Sequence, residues 1–470
     1  MTGLESHNQR VKYDLEILGI GGPTWVKPQK GVYDAIIIGG GQSGLGAAFG
    51  LMKERITNIL ILDENPKGKE GPWITYARMI TLRTPKELLS IEMGVPSLSF
   101  RAWWVSQYGE VSWEAIEKIP REDWMAYLRW YREILSLPVQ NNSKLTRIKP
   151  TGQGLHELDV TTPDGEQRLI ARKVILATGI QGGGEWHTPK FIRDALPKSR
   201  YAHTSEDVDY EALKGKRIGI LGGGASAFDN AQHALGLGAQ KVDVFMRRKE
   251  IPQVNPIRFM EQTGVVPRFA ELNDPLKYRV ISSFFNRNQP PTNDTFQRAC
   301  AWPEFGLQLG SPWKSLKETP EGVEVTTPKG VFTYDFLVLS TGILTDVFLR
   351  PELGDFAGKI ATWSDVYEAP DTEKNKLLDI HPYLGEHFEY TPKRPDDAAV
   401  LHGLFAFNYS ALVSLGLSAS ALTGLPYALP RLAKGVADQL FLDNKEEWIE
   451  DYLAYDEPEF VGSEAYKVIA

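Results

Sequence analysis

The fold of this chain is decided by residues 33–63, which read YDAIIIGGGQSGLGAAFGLMKERITNILILD. The short, almost wholly apolar run at 33–38 predicts a buried strand. A glycine turn follows it, and the small and apolar residues at 43–54 predict a helix that packs against a sheet. A second apolar run at 58–62 predicts the next strand, so the whole stretch predicts a βαβ unit.

The turn in this unit is a G-x-G-x-x-G pattern made by Gly39, Gly41 and Gly44. The first glycine permits the tight turn, the second lets the backbone approach a pyrophosphate, and the third lets the helix pack close to the strand. Gln42 and Ser43 lie at the predicted helix start, where free backbone N–H groups face phosphates. The turn predicts a dinucleotide site, with a glycine-rich turn that binds nothing as the alternative.

A carboxylate follows the second strand directly, as Asp63 with Glu64 beside it. A carboxylate at this place can accept hydrogen bonds from the ribose hydroxyls of a bound nucleotide. The order of strand, turn, helix, strand and acid is therefore complete, and we predict that this first unit binds a dinucleotide.

A second unit of the same order occupies residues 216–246. Its turn is a G-x-G-x-x-A pattern that contains Gly222, Gly224, Ser226 and Ala227, with the alanine at the close-packing position. Two well-separated βαβ units predict two nucleotide sites in one chain.

The second unit is followed by Arg247 and Arg248 in the place where the first unit has its acid. Guanidinium groups bind a 2′-phosphate through charge-assisted, forked hydrogen bonds, whereas a carboxylate would repel it. The pair predicts NADPH rather than NADH, with a solvated basic turn as the alternative.

A repeated heptapeptide supports the duplication: DVTTPDG at 159–165 and EVTTPKG at 324–330. In each copy the proline and glycine predict a hairpin turn. Each hairpin precedes a buried strand with a Thr-Gly end, at Thr178-Gly179 and at Thr341-Gly342. The repeat predicts two related dinucleotide-binding domains.

The composition narrows the class of protein. The 470 residues suggest two to three domains, and the net charge of -8 argues against a nucleic-acid partner. The single cysteine, Cys300, excludes an internal disulfide framework and a dithiol redox pair within the chain. The polar N-terminus and the lack of a long apolar run predict a cytoplasmic protein with no membrane span. His381 and His387 lack metal-ligand spacing, so we predict no metal.

Two segments lie outside the repeated pattern. Residues 255–313 are polar and sit where a simple domain needs only a short connection, so they predict a substrate cap, with a surface elaboration as the alternative. In the aromatic-rich segment 100–135, Trp124, Leu128 and Tyr131 fall on one helical stripe. We predict that this stripe belongs to the core.

Over roughly residues 31–440, the chain resembles class B flavoprotein monooxygenases, which include flavin-containing monooxygenases, Baeyer–Villiger monooxygenases and amine N-hydroxylases. The resemblance rests on the two glycine turns, on Gly71-Pro72-Trp73 and on the two Thr-Gly strand ends. It implies that Trp73 lies near the flavin and that the Thr-Gly ends are crossover points between domains.

The resemblance also implies the architecture. We expect an α/β protein with two Rossmann-like dinucleotide-binding domains, in which a glutathione-reductase-like FAD domain carries an inserted NADPH domain. The predicted boundaries are an N-terminal extension at 1–30, the FAD domain at 31–200 and 335–445, the NADPH domain at 201–334 and a C-terminal tail at 446–470.

The chemistry that the resemblance implies is oxygenation: NADPH reduces FAD, O₂ adds to give a flavin C4a-(hydro)peroxide, and a small organic substrate is hydroxylated or N-oxygenated. Arg83 stands where flavin-containing monooxygenases place an Asn near the flavin. It is a candidate for stabilising the oxygenated flavin, with binding of an acidic substrate or of the flavin itself as alternatives. Asn408 follows a segment similar to the flavin side of amine N-hydroxylases and is the second catalytic candidate.

Two other functions remain open at this point. One is a reductase that passes electrons from NADPH to an external acceptor, and the other is a non-catalytic sensor of the NADPH pool. The predicted partners are a small substrate and O₂; the oligomeric state is left open, with a homodimer as one option.

Overall fold

The structure, a computed structural model, describes residues 3–88, 90–152 and 154–459, so the last eleven positions of the expected C-terminal tail, 460–470, lie outside the described residues. A large mixed sheet is built around the first βαβ unit, and its strands lie in the order β3-β2-β1-β6-β5-β4, with β17 beside β6. The strands of this sheet are β1 Tyr33–Ile38, β2 Ile59–Leu62, β3 Val139–Gln140, β4 Lys144–Pro150, β5 His156–Thr162, β6 Gly165–Leu176 and β17 Leu404–Phe405.

The first unit forms as predicted. Strand β1 pairs in parallel with β2 on one side, from Ala35↔Ile59 onward, and with the second half of β6 on the other, from Tyr33↔Ala171 onward. Helix α2, Gln42–Lys53, connects β1 to β2 and is buried along most of its length. Its small residues allow this burial because they let the helix lie close to the sheet.

A second, wholly parallel sheet is built around the second unit, in the order β11-β10-β9-β15-β8. Its strands are β8 Tyr201–His203, β9 Arg217–Leu221, β10 Lys241–Phe245, β11 Phe305–Gln308 and β15 Phe336–Leu339, and helix α7, Ala225–Gly236, links β9 to β10. The two sheets confirm the predicted α/β fold with two Rossmann-like units.

Both repeated heptapeptides form hairpins, but the strands that follow them differ. In the first domain, β6 turns back from Thr162↔Gly165 and continues unbroken into the parallel sheet. In the second domain, the hairpin lies in a small antiparallel sheet of β12 Ser315–Thr319, β13 Gly322–Thr327 and β14 Gly330–Tyr334. Asp335 separates β14 from β15, since its carboxylate accepts hydrogen bonds from the backbone and guanidinium of Arg217.

The segment predicted as an insertion is helical. It contains α8 Pro256–Gln262, α9 Val265–Arg268, α10 Asp274–Arg287 and α11 Asn293–Cys300, and strand β11 also lies within 255–313. Phe269, Tyr278 and Ile281 form a buried cluster with Trp363 and Leu378. The insertion therefore packs against the later part of the chain rather than standing free.

The N-terminal extension, which showed no clear pattern in the sequence, begins with a helix, α1 Gly3–Ile17. Val11 is fully buried, and Asn8 accepts a hydrogen bond from the Trp130 indole at 2.7 Å. The helix was not recognised because its apolar residues Leu4, Val11 and Leu15 are too sparse to show a periodic face.

The predicted aromatic stripe is confirmed as core. Trp124, Leu128 and Tyr131 are buried on α5, Arg121–Ile134, which packs near α3 Phe100–Tyr108 and α4 Glu110–Ala115. The remaining elements are α6 Lys190–Ala195, β7 Gly184–Trp186, β16 Ile343–Thr345, α12 Trp363–Val366, α13 Lys376–Asp379, α14 Ala398–Leu401, α15 Leu412–Leu415, α16 Leu425–Asp443 and α17 Lys445–Ala454. Within the described ranges, no helix has the length and apolarity needed to cross a membrane.

Candidate functional site

Both glycine turns open onto one cavity of about 1910 Å³. Most residues that the sequence predicted for the site line it: Gly39, Gly41, Gln42, Ser43, Asp63, Glu64, Trp73, Arg83, Thr178, Gly179, Gly222, Gly224, Ser226, Arg247, Arg248, Thr341 and Gly342. Gly44, Ala227 and Asn408 do not line it. Both turns therefore face the same cavity, and its volume exceeds the roughly 300–1,000 Å³ typical of a pocket for one small ligand.

The first turn has the geometry that a pyrophosphate needs. Gly39 has a φ of 106°, and a Cβ added there would lie 2.4 Å from the carbonyl oxygen of Ala177. A Cβ on Gly44 would lie 1.8 Å from the carbonyl oxygen of Gly39, so this position needs a glycine for helix packing. At Gly41 the nearest atom to an added Cβ is 3.8 Å away. The backbone at Gly41 is thus open to a ligand at the start of α2.

The two acids after β2 have different environments. Asp63 is buried, and its Oδ2 accepts from the Gly40 backbone N–H at 2.7 Å while Oδ1 accepts from that of Asn65 at 2.8 Å. Burial raises the pKa of the Asp63 carboxyl above its ordinary value. Glu64 is exposed and lies 3.6 Å from the Lys144 ammonium. Asp63 therefore braces the turn, and Glu64 presents the more accessible carboxylate.

The glycines of the second turn have a geometry similar to that of the first turn. Gly222 has a φ of 129°, and a Cβ there would lie 2.2 Å from the carbonyl oxygen of Ser340. A Cβ on Gly224 would meet no atom within 4 Å, so this backbone faces open space. Ala227 is fully buried where α7 meets the sheet, and Ser226 is exposed in the first turn of that helix.

The two arginines after β10 are used differently. Arg247 is exposed and forms no hydrogen bond or ion pair with the described residues. Arg248 donates to the carbonyl oxygens of Asn286 and Arg287, at 2.9 and 3.5 Å, at the C-terminal end of α10. Arg247 is therefore the free guanidinium at this turn, and Arg248 ties the turn to the insertion.

Asn408 lies behind the cavity wall. Its amide nitrogen donates to the Leu176 carbonyl at 3.1 Å and to the Thr178 hydroxyl at 3.3 Å, and its oxygen accepts from Ser410. The side chain is nearly fully buried. Asn408 therefore holds the Thr178-Gly179 end of β6 against the later chain, and it has no contact with the cavity.

The second Thr-Gly segment is held in a similar way, because the Thr341 hydroxyl donates to the carbonyl oxygen of His187. Near it, Tyr76, Trp186 and His203 form an aromatic wall of the cavity, with ring centroids 6.0 and 5.2 Å apart. Burial lowers the pKa of His203 to about 4, so this imidazole is neutral at physiological pH.

The start of α2 is bonded to distant segments. The Gln42 side-chain oxygen accepts from the Trp124 indole at 3.1 Å, and the Ser43 hydroxyl donates to the Ala419 carbonyl at 2.8 Å. Trp73 lies edge-on to Trp124, with the ring centroids 6.4 Å apart. These contacts fix the cavity floor around the first turn.

The sequence did not identify Asp229, which lies five residues after Gly224 on α7. Its carboxylate accepts from the Arg83 guanidinium at 2.5 Å and from the Thr295 hydroxyl at 3.2 Å. The one sequence signal was a charged residue within the buried run of α7, where Phe228 and Ala231 are fully buried. The role of Arg83 beside a flavin stays a prediction.

The insertion contributes a wall that the sequence located only as a segment. Its lining residues are Asn255, Ile257, Arg258, Glu261, Phe284, Asn288, Gln289, Pro290, Thr292, Pro312 and Trp313. They lie across the same cavity as both glycine turns. The insertion thus has the position that a substrate cap requires.

Comparison with known proteins agrees with this geometry. The profile of the pyridine nucleotide-disulphide oxidoreductase family matches residues 36–278. The FAD-dependent urate hydroxylase of Xanthomonas campestris pv. campestris is 58% identical over 457 residues, which cover 96% of each chain.

Solved structures share the fold at low sequence identity. The ornithine hydroxylase of Pseudomonas aeruginosa superposes with a TM-score of 0.67 at 18% identity, covering 87% of this chain and 100% of that one. The ornithine N-hydroxylase of Kutzneria sp. 744 gives 0.66 at 16% identity, covering 87% and 99%. The family profile, the extended identity and the two-turn cavity agree, and the chain belongs to the pyridine nucleotide-disulphide oxidoreductase family.

Proposed function

We propose that this chain is an FAD-dependent monooxygenase that uses NADPH and O₂ to hydroxylate a planar oxopurine of the urate type. The observation that carries the proposal is the 58% identity, over 96% of both chains, to a urate hydroxylase. The balanced reaction is urate + NADPH + O₂ + H⁺ giving hydroxylated urate, NADP⁺ and water.

The residues at the first turn fit FAD. Gly41 leaves room for a pyrophosphate, the start of α2 supplies backbone N–H groups, and Glu64 is accessible to a ribose. Thr178-Gly179 and Trp73 line the same cavity and would border the flavin ring. A bound flavin supplies the two-electron chemistry that activates O₂. We propose residues 31–200 and 335–445 as its domain.

The residues at the second turn fit NADPH. Gly224 leaves the backbone open, and the unpaired Arg247 provides a charged fork for the 2′-phosphate. The common cavity lets a nicotinamide bound at this turn face the flavin side. We propose residues 201–334 as the NADPH domain, with the helices of 255–313 as a cap that excludes water from the junction.

Oxygen rather than a dithiol is the proposed electron destination. Relay to a dithiol within the chain needs two sulfurs in reach, and the 470 residues contain one cysteine. Cys300 is exposed and does not line the cavity.

The test uses the purified flavin-loaded protein with NADPH, and it measures NADPH oxidation, O₂ uptake and urate loss together. We expect equal amounts of all three, with ornithine and lysine as control substrates that do not increase O₂ uptake. NADPH oxidation without urate loss would instead favour a reductase. Binding of both cofactors with negligible turnover would favour a sensor.

A further inference from the structure

The Arg83–Asp229 pair joins the two nucleotide-binding domains. Arg83 belongs to the FAD domain, and Asp229 lies on α7 of the inserted domain, where its side chain is only 4% exposed. The second carboxylate oxygen accepts from the Thr295 hydroxyl on α11 of the insertion. The Asp229 carboxylate, which belongs to the NADPH domain, therefore contacts the FAD domain through Arg83 and the insertion through Thr295.

The guanidinium of Arg83 is only partly used by this pair. Its Nη2 donates to Asp229, and its Nε is buried with no hydrogen-bond partner among the described residues. The side chain lines the cavity and is 37% exposed. Since an arginine carries five N–H donors in a fixed fork, Arg83 keeps donors for a ligand.

Of the other arginines that line the cavity, Arg247 is unpaired among the described residues and lies at the second glycine turn, where we assign it to the 2′-phosphate of NADPH. The remaining three are engaged with the protein itself. Arg350 donates through both Nε and Nη2 to Glu352, and Arg248 donates to two carbonyl oxygens of the insertion. Arg258 pairs with Glu261 within α8. Nη1 of Arg83 forms no hydrogen bond with the described residues, so Arg83 combines a cavity position with free donors, which is the arrangement expected of an anion ligand.

The backbone that carries Arg83 is fixed. The Leu82 backbone N–H donates to the Ile119 carbonyl at 2.8 Å, and Thr81 forms a β-bridge with Pro120. Leu82 itself is buried. With the backbone held on one side and Nη2 held by Asp229 on the other, the guanidinium plane has a set orientation.

We propose that Arg83 binds the anionic, oxygen-bearing edge of the substrate, and that Asp229 is the positioning residue that aims its guanidinium into the cavity. The proposal rests on the function proposed above, because urate is a planar weak acid that is anionic near neutral pH. A guanidinium fork matches two acceptors on such an edge, as it matches a carboxylate. Burial raises the pKa of the Asp229 carboxyl, and Arg83 and the Thr295 hydroxyl oppose that rise, so Arg83 is its one hydrogen-bonded cationic partner among the described residues.

The test compares urate binding to the oxidised, flavin-loaded protein with steady-state turnover. Asp229→Asn keeps the size of the side chain and removes the charge that orients Arg83. We expect the dissociation constant and the KM for urate to rise about tenfold, the loss of one good hydrogen bond. The kcat at saturating urate and the KM for NADPH should change by less than about twofold.

Asp294→Asn is the matched control. Asp294 is adjacent to Thr295 and forms an ion pair with Lys118 across the same boundary at 2.9 Å, without contact to Arg83. Asp294→Asn removes a charge that bridges the same two domains but does not orient Arg83, so we expect the affinity for urate to be unchanged. The double variant Arg83→Ala/Asp229→Ala leaves no unpaired buried charge. We expect it to bind urate as weakly as Arg83→Ala, because the ligand contact is gone.

Recovery of urate affinity in the double variant would show that the pair only bridges the domains, and it would overturn the inference. So would an unchanged urate dissociation constant in Asp229→Asn, provided that the wild-type protein hydroxylates urate; the proposed function would then stand. A wild-type protein that neither binds nor hydroxylates urate would overturn the proposed function, and this inference with it.

Discussion

Gly222 and Gly224 stand two residues apart, but they serve different purposes. Gly222 is required by the backbone, since its positive φ and the nearby Ser340 carbonyl exclude a Cβ. Gly224 has an ordinary φ of -79° and open space where a Cβ would lie. Its lack of a side chain therefore serves a ligand rather than the fold.

This difference gives a residue-scale prediction. Gly224→Ala should fold and keep its FAD, but the added methyl group occupies the space of the NADPH pyrophosphate, so the KM for NADPH should rise by about tenfold or more. Steady-state kinetics and flavin content measure both effects. Gly222→Ala is the contrast and should lower the yield of folded protein. An unchanged KM for NADPH in Gly224→Ala would mean that no pyrophosphate binds at this turn.

Arg247 and Arg248 give a second prediction at the same scale. Arg247→Ala should raise the KM for NADPH by about tenfold or more and leave that for NADH unchanged, because only NADPH carries the 2′-phosphate. Arg248→Ala should have a smaller effect on this selectivity, since its guanidinium is bonded to the end of α10. Replacing both should raise the KM for NADPH far more than that for NADH. Equal changes for the two cofactors would contradict a 2′-phosphate site.

The residue roles that sequence could predict were the local ones. Gly39, Gly41 and Gly44 are set by the geometry of one turn, which the order of strand and helix reveals. Arg83 and Asp229 are 146 residues apart and meet only because two domains pack together. A single sequence carries no signal for such a pair, so Arg83 was recognised and its partner was not.

At the scale of elements, the insertion shows what periodicity can and cannot tell. Tyr278, Ile281 and Phe285 recur at helical spacing on α10, so a buried face is visible in the sequence. The surface that covers it lies around Trp363 and Leu378, far along the chain. The sequence therefore locates the insertion at 255–313. It shows neither the surface on which its helices pack nor β11, the edge strand of the second sheet that lies inside the segment.

Tyr278 provides the element-scale prediction. The side chain is fully buried, and its hydroxyl donates to Asp379 at 2.7 Å and accepts from the Asn375 backbone N–H at 2.8 Å. Tyr278→Phe should lower the free energy of unfolding by about 1–3 kcal/mol, because both partners lose a buried hydrogen bond. Urea unfolding measures this loss, and proteolysis should cut within 255–313 sooner. Tyr452→Phe, at a side chain 78% exposed, is the control, and an equal loss there would refute a specific docking role.

At the scale of the whole molecule, the sequence predicted a plan of two related domains because each carries the same succession of turn, hairpin and Thr-Gly strand end. The structure confirms two sheets with parallel βαβ units, one mixed and one wholly parallel, and both Thr-Gly segments line one cavity. The sequence could not show that Asn408 is bonded to the Thr178 segment, because its partners Leu176 and Thr178 lie 232 and 230 residues earlier in the chain. The catalytic role of Asn408, which rests on a segment similarity, stays a prediction; in the structure its side chain is buried and bonded to Leu176, Thr178 and Ser410.

The same buried architecture gives a prediction for stability against pH. Burial lowers the pKa of His156, His203, His233 and His381 from 6.5 to about 4. Between pH 4 and 6.5 these histidines are protonated in the unfolded chain and neutral in the folded protein. Their contribution to the free energy of unfolding is therefore complete above pH 6.5 and decreases as the pH falls toward 4. Five carboxyl groups act oppositely, since burial raises their pKa: that of Asp34 to about 6, and those of Asp63, Asp123, Asp229 and Glu261 above their ordinary values. Burial also lowers the pKa of His7 and His187, so six histidines oppose these five carboxyls. We expect thermal unfolding midpoints to fall steadily over this range. His381→Asn can retain the hydrogen bond to the Leu377 carbonyl, and it should make the unfolding midpoint fall less steeply with pH. An unchanged slope would show that His381 does not contribute to the pH dependence.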